Sequence, residues 1–271
     1  MTDRARALRL EEAGPLGRRN VLLAALGVAI LAFLALPTFV VLPISFSAAT
    51  YLTFPPPGWS TQWYTRYFES REWMGATWRS FQVALLTMCA ATVLGTAAAL
   101  ALRRQFRGKP LVNLAIIAPI VVPVIITAIA IYGLYARLRL IGTIPGLVMA
   151  HTVMALPFVV VVVGATLRAF DETLELAAQN LGANRWQTFR LVTLPLIRPG
   201  IISAALLAFI TSFDEIVIAI FISGARAPTL PKQMWDGIRT EIDPTIASVS
   251  SLLIMVTTVV LVAIALLRRR G

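Results

Sequence analysis

Asp214 and Glu215 are the only carboxylates inside any long apolar run of this 271-residue chain, and so the residues there most able to act on a charged species. A charge near the centre of a membrane costs at least ~2.5 kcal/mol on insertion scales, so the pair must face a wet cavity or a partner rather than lipid. Thr211 stands three residues before Asp214, and Ser212 three before Glu215. On a continuous helix that spacing gathers four polar groups on neighbouring parts of one face. Two uses fit such a face. One is a hydrogen-bonded gate or interhelix lock. The other is a transient attraction site for a cationic solute, with Asp214 lining the path.

A second cluster lies in residues 168–200, RAFDETLELAAQNLGANRWQTFRLVTLPLIRPG, a polar stretch too long for a turn. Asp171 is placed as an N-cap, and Leu174, Ala177, Ala178 and Leu181 recur at i, i+3, i+4 and i+7 as one apolar stripe. Gly182 stands where a C-terminal glycine stops a helix. Asn184 and Gln187 have capping-box spacing for a second short helix, which Leu194 and Pro195 are expected to end. The stripe either seats a partner or rests on the protein's own helix ends.

Enzymatic readings find no support. The only Gly-Lys pair, Gly108 and Lys109, is followed by Pro110, so there is no phosphate-binding loop and ATP hydrolysis would need another chain. No H-E-x-x-H or G-x-S-x-G occurs. The single cysteine, Cys89, excludes an internal disulfide, and the single histidine, His151, leaves no soft-ligand cluster for a metal. We therefore expect no catalytic, metal or cofactor-binding residue; His151 reads as a hydrogen-bonded packing residue rather than a proton relay.

The elements that must position these groups are spanning helices. The chain is 58% hydrophobic and 14% charged with mean hydropathy +0.80, which excludes a water-soluble domain. Its net charge of +11 is not spread over the polar surface that a nucleic-acid binder needs. Six runs reach about the 20 residues that cross a bilayer: Val21 to Phe46, Phe81 to Leu102, Leu111 to Tyr135, Leu147 to Leu167, Ile201 to Phe221 and Ile246 to Leu267. The first, at 26 residues, exceeds a cleavable signal sequence and reads as a retained anchor. Pro119, Pro123 and Pro157 should kink the third and fourth spans. Ala91, Gly95 and Ala99 form a small-residue ladder for close helix approach. Trp59, Trp63, Trp73 and Trp78, with Tyr64, Tyr67 and Phe68, predict a helix lying along the outer face. The fold expected is all-α and polytopic, with a tail over 1–20 and a membrane domain over 21–271. Of 24 basic residues, 16 fall before the first span, in the turn 103–110, in 168–200 and after the last span. That asymmetry places both termini and residues 168–200 in the cytoplasm.

The pattern Ala177-Ala178-x-x-x-Gly182 followed by Leu194-Pro195 resembles the EAA loop in the membrane subunits of ATP-binding-cassette importers. Arg79-Ser80-Phe81, LPLIRPG, SFDEIVIAIFISG and TLPKQMWDGIRTEIDPTIASVS extend the match from about residue 60 onward. They are most similar to the second permeases of spermidine/putrescine uptake systems. The resemblance implies a six-helix, type I importer permease in the bacterial inner membrane. It implies as partners a homologous permease subunit, two ATPase subunits that use ATP, an extracytoplasmic solute-binding protein and membrane lipid, with no nucleic acid. It also implies that Ala177, Ala178 and Gly182 belong to the helix that docks on the ATPase. The family's motif glutamate precedes the two alanines; Leu176 stands there, and Glu175 lies one residue earlier. A one-residue offset turns a side chain by about 100°. Importers of other small solutes share this style. A self-sufficient channel or carrier, or a structural scaffold, leaves residues 168–200 or the acidic pair without a role.

The charge asymmetry yields a topological prediction. Cysteines introduced at Gln105 and Asn184 should resist a membrane-impermeant thiol reagent in intact cells, and one at Ser70 should react; labelling of position 184 from outside would overturn the orientation.

Overall fold

The computed structural model describes residues 16–240 and 243–268, with side chains over 20–240 and 243–259. Most of the predicted N-terminal tail and Arg269 and Arg270 lie outside the described residues. Twelve α-helices and one π-helical turn are present among them, and the two residues in extended pairing, Ser47 and Trp59, form an isolated bridge.

The described residues of 1–69 and 240–271 form one compact unit. In it, α1 (Leu16–Ser45) is apolar on all sides from Val21 onward, and most of its side chains over 21–39 stand exposed, Phe33 to 76%. A helix without a polar face suits lipid or another apolar surface. The short amphipathic α2 (Gln62–Glu69) is held by hydrogen bonds to both flanking segments of its unit. Trp63 Nε1 donates to the Ser47 carbonyl at 2.9 Å, and the Tyr64 hydroxyl lies 2.7 Å from Ser45 Oγ. Tyr64 also donates to Ser251 Oγ at 3.2 Å on α12 (Thr245–Arg268). The expected helix is therefore present, but Trp63 and Tyr67 are buried as packing groups, while Trp59 is exposed.

Residues 70–239 form the second unit. Its longest helix, α3 (Arg71–Arg103), starts ten residues before the apolar run because Ser70 caps it, accepting from Trp73 N at 3.3 Å. Trp73 and Trp78 thus belong to this helix and not to a loop. Helices α3, α6 (Ile144–Ala169) and α9 (Leu194–Phe213) share a core in which Ala91, Ala99, Ala155, Val159, Ala204 and Ala208 are buried. The ladder lets the backbones meet: a Cβ on Gly95 would lie 2.6 Å from Val159 Cγ1, and one on Gly200 would collide with the Thr166 side chain.

Two of the expected spans are broken. The third is not one kinked helix but α4 (Lys109–Val121) and α5 (Val124–Leu138), bent by 106°. Pro123 has no N–H to donate and forces Val122 out of the helical region, to φ −73° and ψ 130°. The fifth ends at Phe213 and resumes as α10 (Val217–Ile222). Pro157 leaves α6 unbroken. Among the described residues four helices are long and apolar enough to cross a membrane, and five if the bent pair counts as one span. The sixth run is the 24-residue α12.

Candidate functional site

Residues 168–200 fold largely as their capping residues direct. The first helix, α7, spans Thr173–Asn180. Asp171 Oδ1 accepts from Thr173 N at 2.9 Å, a turn just ahead of the helix, so Glu172 and not Asp171 holds the N-cap position. At the other end Gly182 is left-handed, with φ +91°. Its N–H donates to the Gln179 carbonyl at 2.9 Å, and Ala183 N donates to the Ala178 carbonyl at 3.1 Å. These two bonds make a Schellman stop, where a Cβ would be strained. The second helix, α8 (Arg185–Thr188), opens on the expected box: Asn184 N donates to Gln187 Oε1 at 2.8 Å, and Gln187 N to Asn184 Oδ1 at 2.9 Å.

Leu194 and Pro195 do not end this helix. The chain runs on through a π turn, Phe189–Thr193, into α9, whose first turn holds Pro195. Pro195 has no N–H to donate to the preceding turn, and the wider π turn just before it takes up the change of register.

The faces of α7 are sharply unequal. Leu174, Ala177 and Leu181 point away from the rest of the chain, Leu181 to 90%, and Leu176 is also exposed; Ala178 is half-buried. Three of the four residues of the predicted stripe do not rest on the protein's own helix ends; Ala178 is partly covered. Glu175 turns the other way. Its carboxylate pairs with Arg103 at the end of α3, at 3.0 Å, and accepts from Thr193 Oγ1 in the π turn at 2.6 Å. Arg103 also pairs with Glu172 at 3.0 Å and lies over the Phe170 ring, 5.6 Å from its centroid. Burial opposes ionisation of Glu175, yet the hydrogen bonds from Arg103 and Thr193 and the charge of Arg103 outweigh it, holding the carboxyl below the usual range. Arg103, Glu172 and Thr193 were not singled out in the sequence; the only signal was an arginine closing an apolar run.

The acidic pair lies elsewhere. Asp214 is the last residue bonded to α9, its N–H donating to the Ile210 carbonyl at 3.0 Å. Glu215 Oε1 accepts from Ile218 N at 3.0 Å and so caps α10. The pair therefore does not share a continuous helical face with Thr211 and Ser212; it occupies the three-residue gap between two helices. Asp214 is exposed, Glu215 and Thr211 are half-buried, and Ser212 is buried. His151 Nδ1 lies 2.9 Å from Ser212 Oγ and 3.1 Å from the Ser212 carbonyl, joining α6 to the end of α9. That is the packing role expected of it.

Residues 91–270 match the family described as "Binding-protein-dependent transport system inner membrane component". The putrescine transport system permease protein PotI of Escherichia coli K12 is 35% identical over 230 residues, 82% of each chain. The spermidine/putrescine transport system permease protein PotC of the same organism is 29% identical over 242 residues, 89% of this chain and 91% of that one. The trehalose transport system permease protein SugB of Mycobacterium tuberculosis is 30% identical over 211 residues, 76% of this chain and 77% of that one. In fold, a chain of a bacterial ABC transporter that imports alginate superposes with a TM-score of 0.70 at 16% identity, covering 94% of this chain and 98% of that one. With 180 matched residues that include both candidate sites, this chain belongs to the binding-protein-dependent transport system inner membrane components.

Proposed function

We propose that this chain is one of two membrane subunits of an ATP-driven importer for putrescine, spermidine or a similar small polycation. The observation that carries the reading is α7: an apolar outward face of Leu174, Ala177 and Leu181 on a helix whose inner face is pinned to α3 and α9 through Glu175. A partner pressing on that face moves the ends of both helices, because Arg103 closes α3 and Thr193 leads into α9. The 20-residue α9, about 30 Å long, then carries the displacement to the gap at Asp214. In this reading α12 is the sixth span, both termini and α7 are cytoplasmic, and two ATPase subunits meet α7 of this chain and its counterpart in a homologous permease. A soluble binding protein delivers the solute from outside. ATP and the loaded binding protein both favour one of two packings, and hydrolysis, by the ATPases and not by this chain, restores the other. Ala177, Ala178 and Gly182 serve coupling directly and Glu175 as the brace behind them; no cofactor binds this chain.

The polyamine assignment is supported by the relatives named PotI and PotC and by an exposed carboxylate at Asp214. The second reading, an importer of a neutral solute, draws on the trehalose relative. A cation gains from Asp214 what a sugar does not.

Three outcomes test these roles. Ala177→Trp adds bulk to an exposed face, so the purified chain should melt as the parent does, while uptake driven by ATP in the reconstituted complex falls at least tenfold; parental uptake would remove α7 from coupling. The brace gives a pH signature. Because Glu175 has a lowered folded pKa, its stabilisation is full above the unfolded value of about 4.3 and is lost as pH falls through the folded one. Glu175→Gln should therefore lower the melting temperature at pH 7, and the gap to the parent should close below about pH 4. Asp214→Asn keeps shape and removes charge: a clear loss of putrescine uptake with the ATPase still assembled supports the solute role, and unchanged uptake assigns the gap to helix locking.

A further inference from the structure

The coupling reading leaves unused a cavity of about 830 Å³ between the ends of α3 and α6 and the start of α4. Its wall changes character with depth. At the mouth stand Lys109 and Asn113 of α4 and Arg168 of α6; Ile117 and Val160 lie eight residues further along their helices, about 12 Å deeper. The charge at the mouth is unbalanced. Arg103, also in the wall, is held between Glu175 and the wall's one carboxylate, Glu172, but neither the Lys109 nor the Arg168 side chain makes an ion pair or hydrogen bond among the described residues.

Two further features add positive potential there. A Cβ placed on Gly164 would lie 3.9 Å from Arg168 Nη1, so the guanidinium folds back one turn along α6 into the cavity. The 13-residue α4 begins at the left-handed Gly108 with no side-chain cap and no acidic residue in its first turn. The helix dipole adds positive potential at the same mouth.

We infer that this cavity is a binding site for an anionic phospholipid, with the phosphate on Lys109, Asn113 and Arg168 and an acyl chain along Ile117 and Val160. The phosphate matches the uncompensated charge, and the apolar depth distinguishes a lipid from a free anion. Basic pockets between helix ends at the membrane boundary take such headgroups. The site is independent of which solute is carried.

The test is native mass spectrometry of the full-length chain in mild detergent with equal amounts of palmitoyl-oleoyl phosphatidylglycerol and phosphatidylcholine. At roughly 1 kcal/mol per basic residue near the headgroup, the parent should favour phosphatidylglycerol about tenfold or more. Lys109→Gln/Arg168→Gln should abolish the preference. Arg104→Gln/Arg107→Gln removes the same charge from outside the cavity wall and should keep it, as should Lys109→Arg/Arg168→Lys. Equal losses in the two glutamine pairs, or no preference in the parent, would overturn the site. Excess inorganic phosphate should leave the lipid adduct in place; displacement would show a free-anion site and refute the lipid. That competition uses the parent chain, so it decides the matter even if the cavity variant fails to fold.

Discussion

A half-buried carboxylate at a joint between three elements organises the molecule around residues 168–200. Glu175 alone would be costly to shield from water, and it is stable there because Arg103 and Thr193 satisfy its oxygens from two other segments. The pairing fixes which way α7 faces. With Glu175 turned inward, the 100° step per residue sends Leu174 and Ala177 outward, and the apolar side that would otherwise pack on the bundle is left exposed. Leu176, which stands at the family's motif position, lies on the same exposed side.

The second constraint is the bilayer, which requires that backbone polar groups freed by a helix break be met within the protein. At the fifth span Glu215 supplies that partner by accepting from Ile218 N, and its neighbour Asp214 is left exposed. One carboxylate of the pair is thus structural, and the other is available. At the third span the break at Pro123 is met differently: Val122 N still donates to the Ala118 carbonyl, and the proline itself has no N–H to satisfy.

Local signals in the sequence were legible and distant ones were not. The capping box at Asn184 and Gln187, the stop at Gly182 and the ladder at Gly95 each depend on residues within a turn or two, or on the mere smallness of a side chain. The all-α class followed from long apolar runs. The salt bridge between Arg103 and Glu175 joins residues 72 positions apart, and no periodicity marks it. The breaks at Val122 and Asp214 were hidden because an uninterrupted apolar run reads as one helix, whereas a proline or a carboxylate can end it when another element receives the freed groups. Leu194-Pro195 misled for the opposite reason. A proline need not stop a helix where a wider turn just before it absorbs the missing bond, and here the π turn ends two residues earlier, at Thr193.

The π turn at Phe189–Thr193 has a consequence for how faces are matched along this part of the chain. One extra residue in a turn uses up about 100° of rotation with little change in axis direction. Side chains before Thr188 and after Leu194 are therefore offset by about that angle from an uninterrupted α-helix, and the face that α8 exposes does not continue in line into the face that α9 buries. The bulge works as a phase adapter between two contact surfaces. Each side keeps its own facing direction, while the rod between them stays continuous.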